Sequence, residues 1–255
     1  MFEEHYSALL CGYAAALLGW VIVSRATPML WPTAERAEFK RPWIELGFAM
    51  LAAIGVILIG ALYSHGIRIR AVGPFRPMAE IVNQICIFSP MLLLIPLRHQ
   101  RWGTAWLSSR KLAQRLGIGV VLAALSVVAY SLCRKGSLSP AAMLVRIARY
   151  QNLDLLAQVF LEDFSIAVLF VRVTAAMGAR WSLVIVAILF AAGHIPTMIT
   201  QGASPNDFGR LALDVCLGVA VLAVIRHSRD IVWFALVHFC MDMTQFARVT
   251  FGNNS

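Results

Sequence analysis

Long apolar runs separated by shorter polar or basic intervals recur along the whole chain. Eight can be drawn: Ser7–Val23, Ile44–Tyr63, Ile81–Leu97, Leu116–Cys133, Leu153–Met177, Trp181–Thr200, Leu211–Ile225 and Ile231–Phe246. Each approaches the roughly 20 residues (range about 17–25) that carry a helix across a bilayer, the last two being short. The pattern predicts an all-α fold, a polytopic membrane helix bundle of about eight transmembrane helices. The first four connectors are long and basic, as in Arg98-His99-Gln100-Arg101 and Arg110-Lys111, and Leu138–Tyr150 reads as an interfacial amphipathic helix carrying Arg146 and Arg149. The last three connectors are short and predict that the final four helices are antiparallel neighbours. No internal repeat is visible. The chain reads as one membrane domain, 1–255, with four spans and long basic loops in 1–150 and a four-helix core in 151–250.

Composition agrees. Of 255 residues 60% are hydrophobic and 14% charged, and the mean hydropathy is +0.74. Soluble domains carry about 25% charged residues, so an integral membrane protein is expected. The N-terminus, Met1 to Ser7, is acidic where a signal peptide needs basic residues, so the first apolar run is expected to be a retained span. Cys11, Cys86, Cys133, Cys216 and Cys240 lie in or beside apolar segments without CxxC spacing and read as small buried hydrophobes. The net charge of +9 comes mainly from 19 arginines against 3 lysines. In loops these can hold anionic lipid head groups. No basic patch is interleaved with aromatics, so the lipid bilayer is an expected partner and nucleic acid is not. The arginine bias hints at a bacterial cell membrane. Trp20, Trp43 and Trp181, at segment ends, read as interfacial anchors.

Against this apolar background, three segments carry ionisable groups at depth: Glu162-Asp163, His194 and His238 with Asp242. A charge at the bilayer centre costs at least about 2.5–3.5 kcal/mol, which makes each a candidate functional residue, and convergence on one another is the cheapest way to satisfy them. At 1.5 Å per residue, Glu162 lies about 13 Å into its segment, His194 about 10 Å and His238 and Asp242 about 10–18 Å, all measured from the N-terminal face. His238 and Asp242 are four apart and share a helical face, as do Gln158 and Glu162. Ala191-Ala192-Gly193 before His194 lacks bulk, and Pro196 just beyond it breaks the helix. Asp163 is expected to support Glu162, Arg172 to snorkel at the far end of its helix, and Arg210 and Asp214 to pair at the interface.

A base to deprotonate water and donors for an oxyanion are what peptide hydrolysis requires. Glu, His, His and Asp could also ligate a metal, but neither HExxH nor a His-x-x-x-His pair occurs, and no metal or other cofactor is expected.

Over about Leu153 to Phe246 the chain resembles the CPBP family of intramembrane proteases, which includes CAAX prenyl endopeptidases and bacteriocin-processing or immunity proteins. That family carries Glu-Glu-x-x-x-Arg, Phe-x-x-x-His and His-x-x-x-Asn/Asp on successive membrane helices. Here Leu161-Glu162-Asp163-Phe164, Phe190-Ala-Ala-Gly-His194 and His238-Phe-Cys-Met-Asp242 stand in those places, with Leu217-Gly218 between the last two. The resemblance implies an endopeptidase of glutamate type acting on a membrane-associated peptide or protein. Glu162 would activate water, His194 would position it, and His238 and Asp242 would form the oxyanion site. Two departures stand out: Asp163 replaces the second glutamate, and Ala167 replaces the arginine. The arginine's loss motivates an alternative, a catalytically inactive immunity or regulatory member. A small proton-coupled carrier is a third possibility, disfavoured by the absence of repeats.

Overall fold

A computed structural model of the chain describes residues 2–31, 39–134, 139–200, 202 and 208–246. Its helices are α1 (Phe2–Ala26), α2 (Pro42–Ser64), α3 (Arg76–Leu97), α4 (Leu112–Cys133), α5 (Pro140–Ile147), α6 (Leu153–Met177), α7 (Ala179–Gly193), α8 (Ile195–Thr200), α9 (Arg210–Ser228) and α10 (Ile231–Phe246), and no strand occurs among the described residues. The protein is an all-α membrane bundle. Among the described residues five helical stretches are long and apolar enough to cross a bilayer: 6–26, 42–64, 73–97, 112–133 and 211–228. α6 is as long, at 25 residues, but carries Asp154, Glu162, Asp163 and Arg172, while α7 and α10 are apolar yet shorter. All eight apolar runs are helical, and the sixth is broken into α7 and α8 with His194 in the turn between them.

Local chemistry sets several of the ends. Pro42 opens α2 and Pro140 opens α5, positions where the missing N–H would have no intrahelical partner anyway. Ser139 caps α5 by accepting from the Ala142 N–H at 3.3 Å. α5 falls within the expected amphipathic stretch and buries Met143 and Ile147. Gly178, at φ 87°, makes the single-residue reversal from α6 to α7 that a side chain would strain.

α6 is the central strut, packed on α2, α3, α7 and α10. α10 lies between α6 and α4, and α4 in turn packs on α1. The short α9–α10 connector therefore does not produce neighbours as expected. Arg229, in the left-handed region at φ 48°, redirects the chain, so that α9 packs mainly on α7 while α10 turns toward α4 and α6.

The start of α10 is pinned from several directions. Asp230 caps it by accepting from the Val232 N–H at 3.0 Å, and the Ile231 N–H donates to the Trp106 carbonyl at 3.2 Å. Trp233 Nε1–H donates to Ser228 Oγ at 3.1 Å. Arg115 Nη1 lies 2.7 Å from Asp230 Oδ1, and both side chains are fully buried. Arg115 also donates from Nε to the Arg110 carbonyl at 3.0 Å and from its other terminal nitrogen to the Ser108 carbonyl. The apolar run drawn from Leu116 would leave Arg115 in the basic connector before it; the helix starts earlier, and one turn into α4 Arg115 is a core cation that fixes the start of α10.

Two further expectations fail because the side chains find partners inside the protein. Arg172 does not snorkel. It is fully buried, donates to the Val168 carbonyl at 2.9 Å and to Gln100 Oε1, and stacks 5.4 Å from the Phe39 ring centroid. Gln100 in turn donates at 2.7 Å to Glu45, which also receives Arg98 at 2.7 Å. Trp20 is not an interfacial anchor either, for it is buried and stacked on Trp233 with centroids 5.7 Å apart. Trp43 and Trp181 are exposed.

Candidate functional site

The held end of α10 sets the rotation of its second half, and with it His238 and Asp242. His238 is buried, and its Nδ1 lies 3.0 Å from Asp163 Oδ1 on α6. On the other side of the ring, Nε2 is 3.8 Å from Asp242 Oδ1. A carboxylate accepts, so Nδ1 carries the hydrogen in the shorter contact and Nε2 is left facing Asp242. The ring is held between aromatic walls, with the Phe234 centroid at 5.6 Å and Phe190 at 6.3 Å.

Glu162 precedes Asp163 on α6, so the two carboxylates leave the helix about 100° apart. Asp163 is buried against α10; Glu162 is half-buried. Gln158, one turn earlier, donates to Glu162 Oε1 at 2.9 Å and accepts from Gln84 Nε2 of α3 at 3.4 Å. His238, Asp242 and His194 all lie within electrostatic reach of the Glu162 carboxyl. Asp163, expected to support Glu162, makes its hydrogen bond across the helix interface. The packing of α10 on α6 offers Asp163 an imidazole, and Glu162 takes its hydrogen bond from Gln158.

His194 is exposed, at the end of α7. Its Nδ1 lies 3.0 Å from the Phe190 carbonyl, an acceptor, so Nδ1 bears a hydrogen and the neutral ring presents the Nε2 lone pair outward. The Phe190 ring meets it edge-on at 4.8 Å. Phe190 therefore touches both imidazoles and spaces them. Among the described residues no direct hydrogen bond joins Glu162 to His194. Nor is any group of three or more His, Cys, Asp or Glu side chains arranged among them to hold a metal ion.

Compared with models of protein families, with curated proteins and with solved structures, the chain matches none.

Two nearby residues, Tyr13 and Gln84, escaped the sequence reading, and Asp214 was expected only to pair with Arg210. Asp214 on α9 lies within electrostatic reach of His194. The buried Tyr13 on α1 lies within reach of Asp163, Asp242 and Asp214, and its ring stacks on Phe234 with centroids 6.5 Å apart. Gln84 supports Gln158. Asp214 and Gln84 were each visible as a polar residue inside an apolar run; nothing in the sequence marked Tyr13. The expected partner of Asp214, Arg210, has its side chain outside the described residues.

The arginine position of the resembled motif is also informative. Ala167 is fully buried in the apolar core, so no charge reaches the acidic pair from there. Asp163 instead has His238 as its counter-group. Toward the start of α6 lies an apolar cavity of about 340 Å³, lined by Leu156, Ala157 and Phe160 of α6 and by Val232, Ala235 and Leu236 of α10, among others; Glu162 is not among its lining residues.

Proposed function

We propose that this cluster is the active site of an intramembrane endopeptidase of glutamate type. The observation that carries the reading is the division of labour between two adjacent acids: Asp163 is spent on orienting His238, while the half-buried Glu162 keeps a carboxylate oxygen beyond its bond from Gln158. A base must reach water, and an oxyanion donor must be held still.

In this reading Glu162 takes a proton from a water that His194 Nε2 orients by accepting its second hydrogen. The resulting hydroxide attacks the scissile carbonyl carbon. Doubly protonated His238 keeps one N–H on Asp163 and offers Nε2–H to the developing oxyanion, with Asp242 alongside. The proton held by Glu162 then passes to the leaving nitrogen as the C–N bond breaks, giving an amine and a carboxylic acid. The substrate is a membrane-associated peptide or protein. The arginine-rich composition points to a bacterial inner membrane. No cofactor enters the steps.

The test is cleavage of a pool of membrane-anchored peptides by protein reconstituted in lipid nanodiscs, with products read by mass spectrometry. Glu162→Gln keeps size and hydrogen bonding, and cleavage should fall by about 100-fold or more while the protein stays folded. Equal cleavage by Glu162→Gln overturns the assignment.

The buried Ala167 in place of an arginine favours a second reading, a catalytically inactive protein that binds a membrane partner. Under it the cellular phenotype survives Glu162→Gln and fails only with variants that disrupt packing.

A further inference from the structure

At the opposite end of the bundle from the His238 cluster lies a larger cavity, of about 860 Å³, where the ends of α6 and α9 meet the start of α7. Its lining is divided. Phe39, Trp106 and Phe170 supply apolar wall, and Arg226, His227 and Arg229 supply basic groups. None of its described lining residues is acidic. Arg226 Nε is buried without a hydrogen-bond partner. A buried donor left unmet is costly, and an acceptor supplied by a ligand removes that cost. His227 Nδ1 is bound to the Ala223 carbonyl at 2.7 Å, so Nε2 is its remaining polar atom.

Size and lining together select the ligand. Guanidinium groups match the oxygens of phosphate with paired N–H donors. A phosphate ion alone would leave most of this volume and all of the aromatic wall unused, whereas pockets of about 300–1,000 Å³ suit larger molecules. Phe39 is a fixed wall because the buried Arg172 guanidinium stacks against it at 5.4 Å. The cavity also lies at a bundle end where Arg25, Lys40, Arg41, Arg101, Arg110 and Arg180 cluster in sequence around the helix termini. Such a surface draws anionic lipids.

We propose that this cavity binds an anionic lipid, its phosphate headgroup held by Arg226 and His227 and its chain laid along Phe39, Trp106 and Phe170. The site is separate from the proposed catalytic cluster and stands or falls without it.

The experiment is a binding titration on the full chain, purified in a neutral detergent and followed by native mass spectrometry. The probes are lysophosphatidic acid, lysophosphatidylcholine with the same acyl chain, and inorganic phosphate. The proteins are the wild type, Arg226→Gln, and Ala175→Phe, which fills the cavity from α6. The anionic lysolipid should bind the wild type at least about 10-fold more tightly than the zwitterionic one, and Arg226→Gln should remove about 10-fold or more of that affinity. Ala175→Phe should weaken binding of the lysolipid. Equal affinity for the two lysolipids overturns the proposal, as does wild-type binding in both variants. If phosphate alone binds as tightly as the anionic lysolipid, the chain contributes nothing and the lipid assignment is overturned. Should Arg226→Gln fail to fold by thermal unfolding, Ala175→Phe together with Arg226→Lys, which keeps charge but not the paired donors, decides the matter by the same criteria.

Discussion

His238 Nδ1 sits 3.0 Å from Asp163 Oδ1, a buried contact that ties together positions 75 residues apart on α6 and α10. It fixes which side of the imidazole faces the core and which faces Asp242. Two helices that meet largely through apolar side chains thereby acquire a defined rotation at the level of the site.

That contact should appear as energetic coupling. Replacing either partner with Ala leaves the other buried without its hydrogen bond, at a cost of about 1–3 kcal/mol. Asp163→Ala and His238→Ala combined should cost less than their sum, with a coupling of about 0.5–3 kcal/mol, since the second change removes a group already orphaned. Thermal unfolding of the four proteins in detergent measures it. Strict additivity would remove the contact from any role in holding α10.

The Arg115–Asp230 pair should behave as a buried ion pair. Asp230→Ala removes the cap of α10 and strands a fully buried guanidinium, costing about 3–5 kcal/mol. The double change to Arg115→Met with Asp230→Leu should be less destabilising than Asp230→Ala alone, because no uncompensated charge stays behind. Unfolding midpoints in the opposite order would show that the pair is not the main restraint there.

Gly119 marks a close approach of α4 to α10. A Cβ at this position would stand 2.8 Å from the Trp233 Cα and 3.0 Å from Leu236 Cδ1. The first of these is backbone and cannot rotate away. Gly119→Ala should therefore cost about 1–3 kcal/mol despite the better helix propensity of alanine. A stabilised Gly119→Ala protein would mean that the two helices separate freely.

Much of the site was legible because helix spacing survives folding. His238 and Asp242, four residues apart, do face one another, and the break at His194 falls where the small residues and Pro196 placed it. What the sequence could not give was the rotation of α6 relative to α10, which depends on packing between helices far apart in the chain. Hence Asp163, not Glu162, receives His238. Arg115, Arg172 and Trp20 were misread for a related reason. Their places near segment ends are where polar tips ordinarily reach water, and only the tertiary structure supplies Asp230, Gln100 and Trp233 as inner partners. The departure of α10 from α9 was hidden in the left-handed conformation of Arg229, which no local pattern announces.

The last prediction separates positioning from chemistry at Glu162. Gln158 does not reach the reacting atoms in the proposed mechanism; it holds Glu162 Oε1 at 2.9 Å, and is itself held by Gln84 at 3.4 Å. Gln158→Leu should leave the protein folded and substrate affinity nearly unchanged while kcat falls by about 10-fold, a loss of about 1.4 kcal/mol in transition-state stabilisation. Gln158→Glu, which cannot donate from an ionised carboxylate and sets a second acid against the first, should be worse than Leu. In a Glu162→Gln background, where the base is already gone, neither change should lower the residual rate further, because residues that act through one group are not additive. Single-turnover cleavage in nanodiscs, with binding measured separately, reads both quantities. If Gln158→Leu instead raises KM with kcat intact, Gln158 contacts the substrate rather than the base. If it lowers the rate equally in both backgrounds, Glu162 is not the group through which it acts.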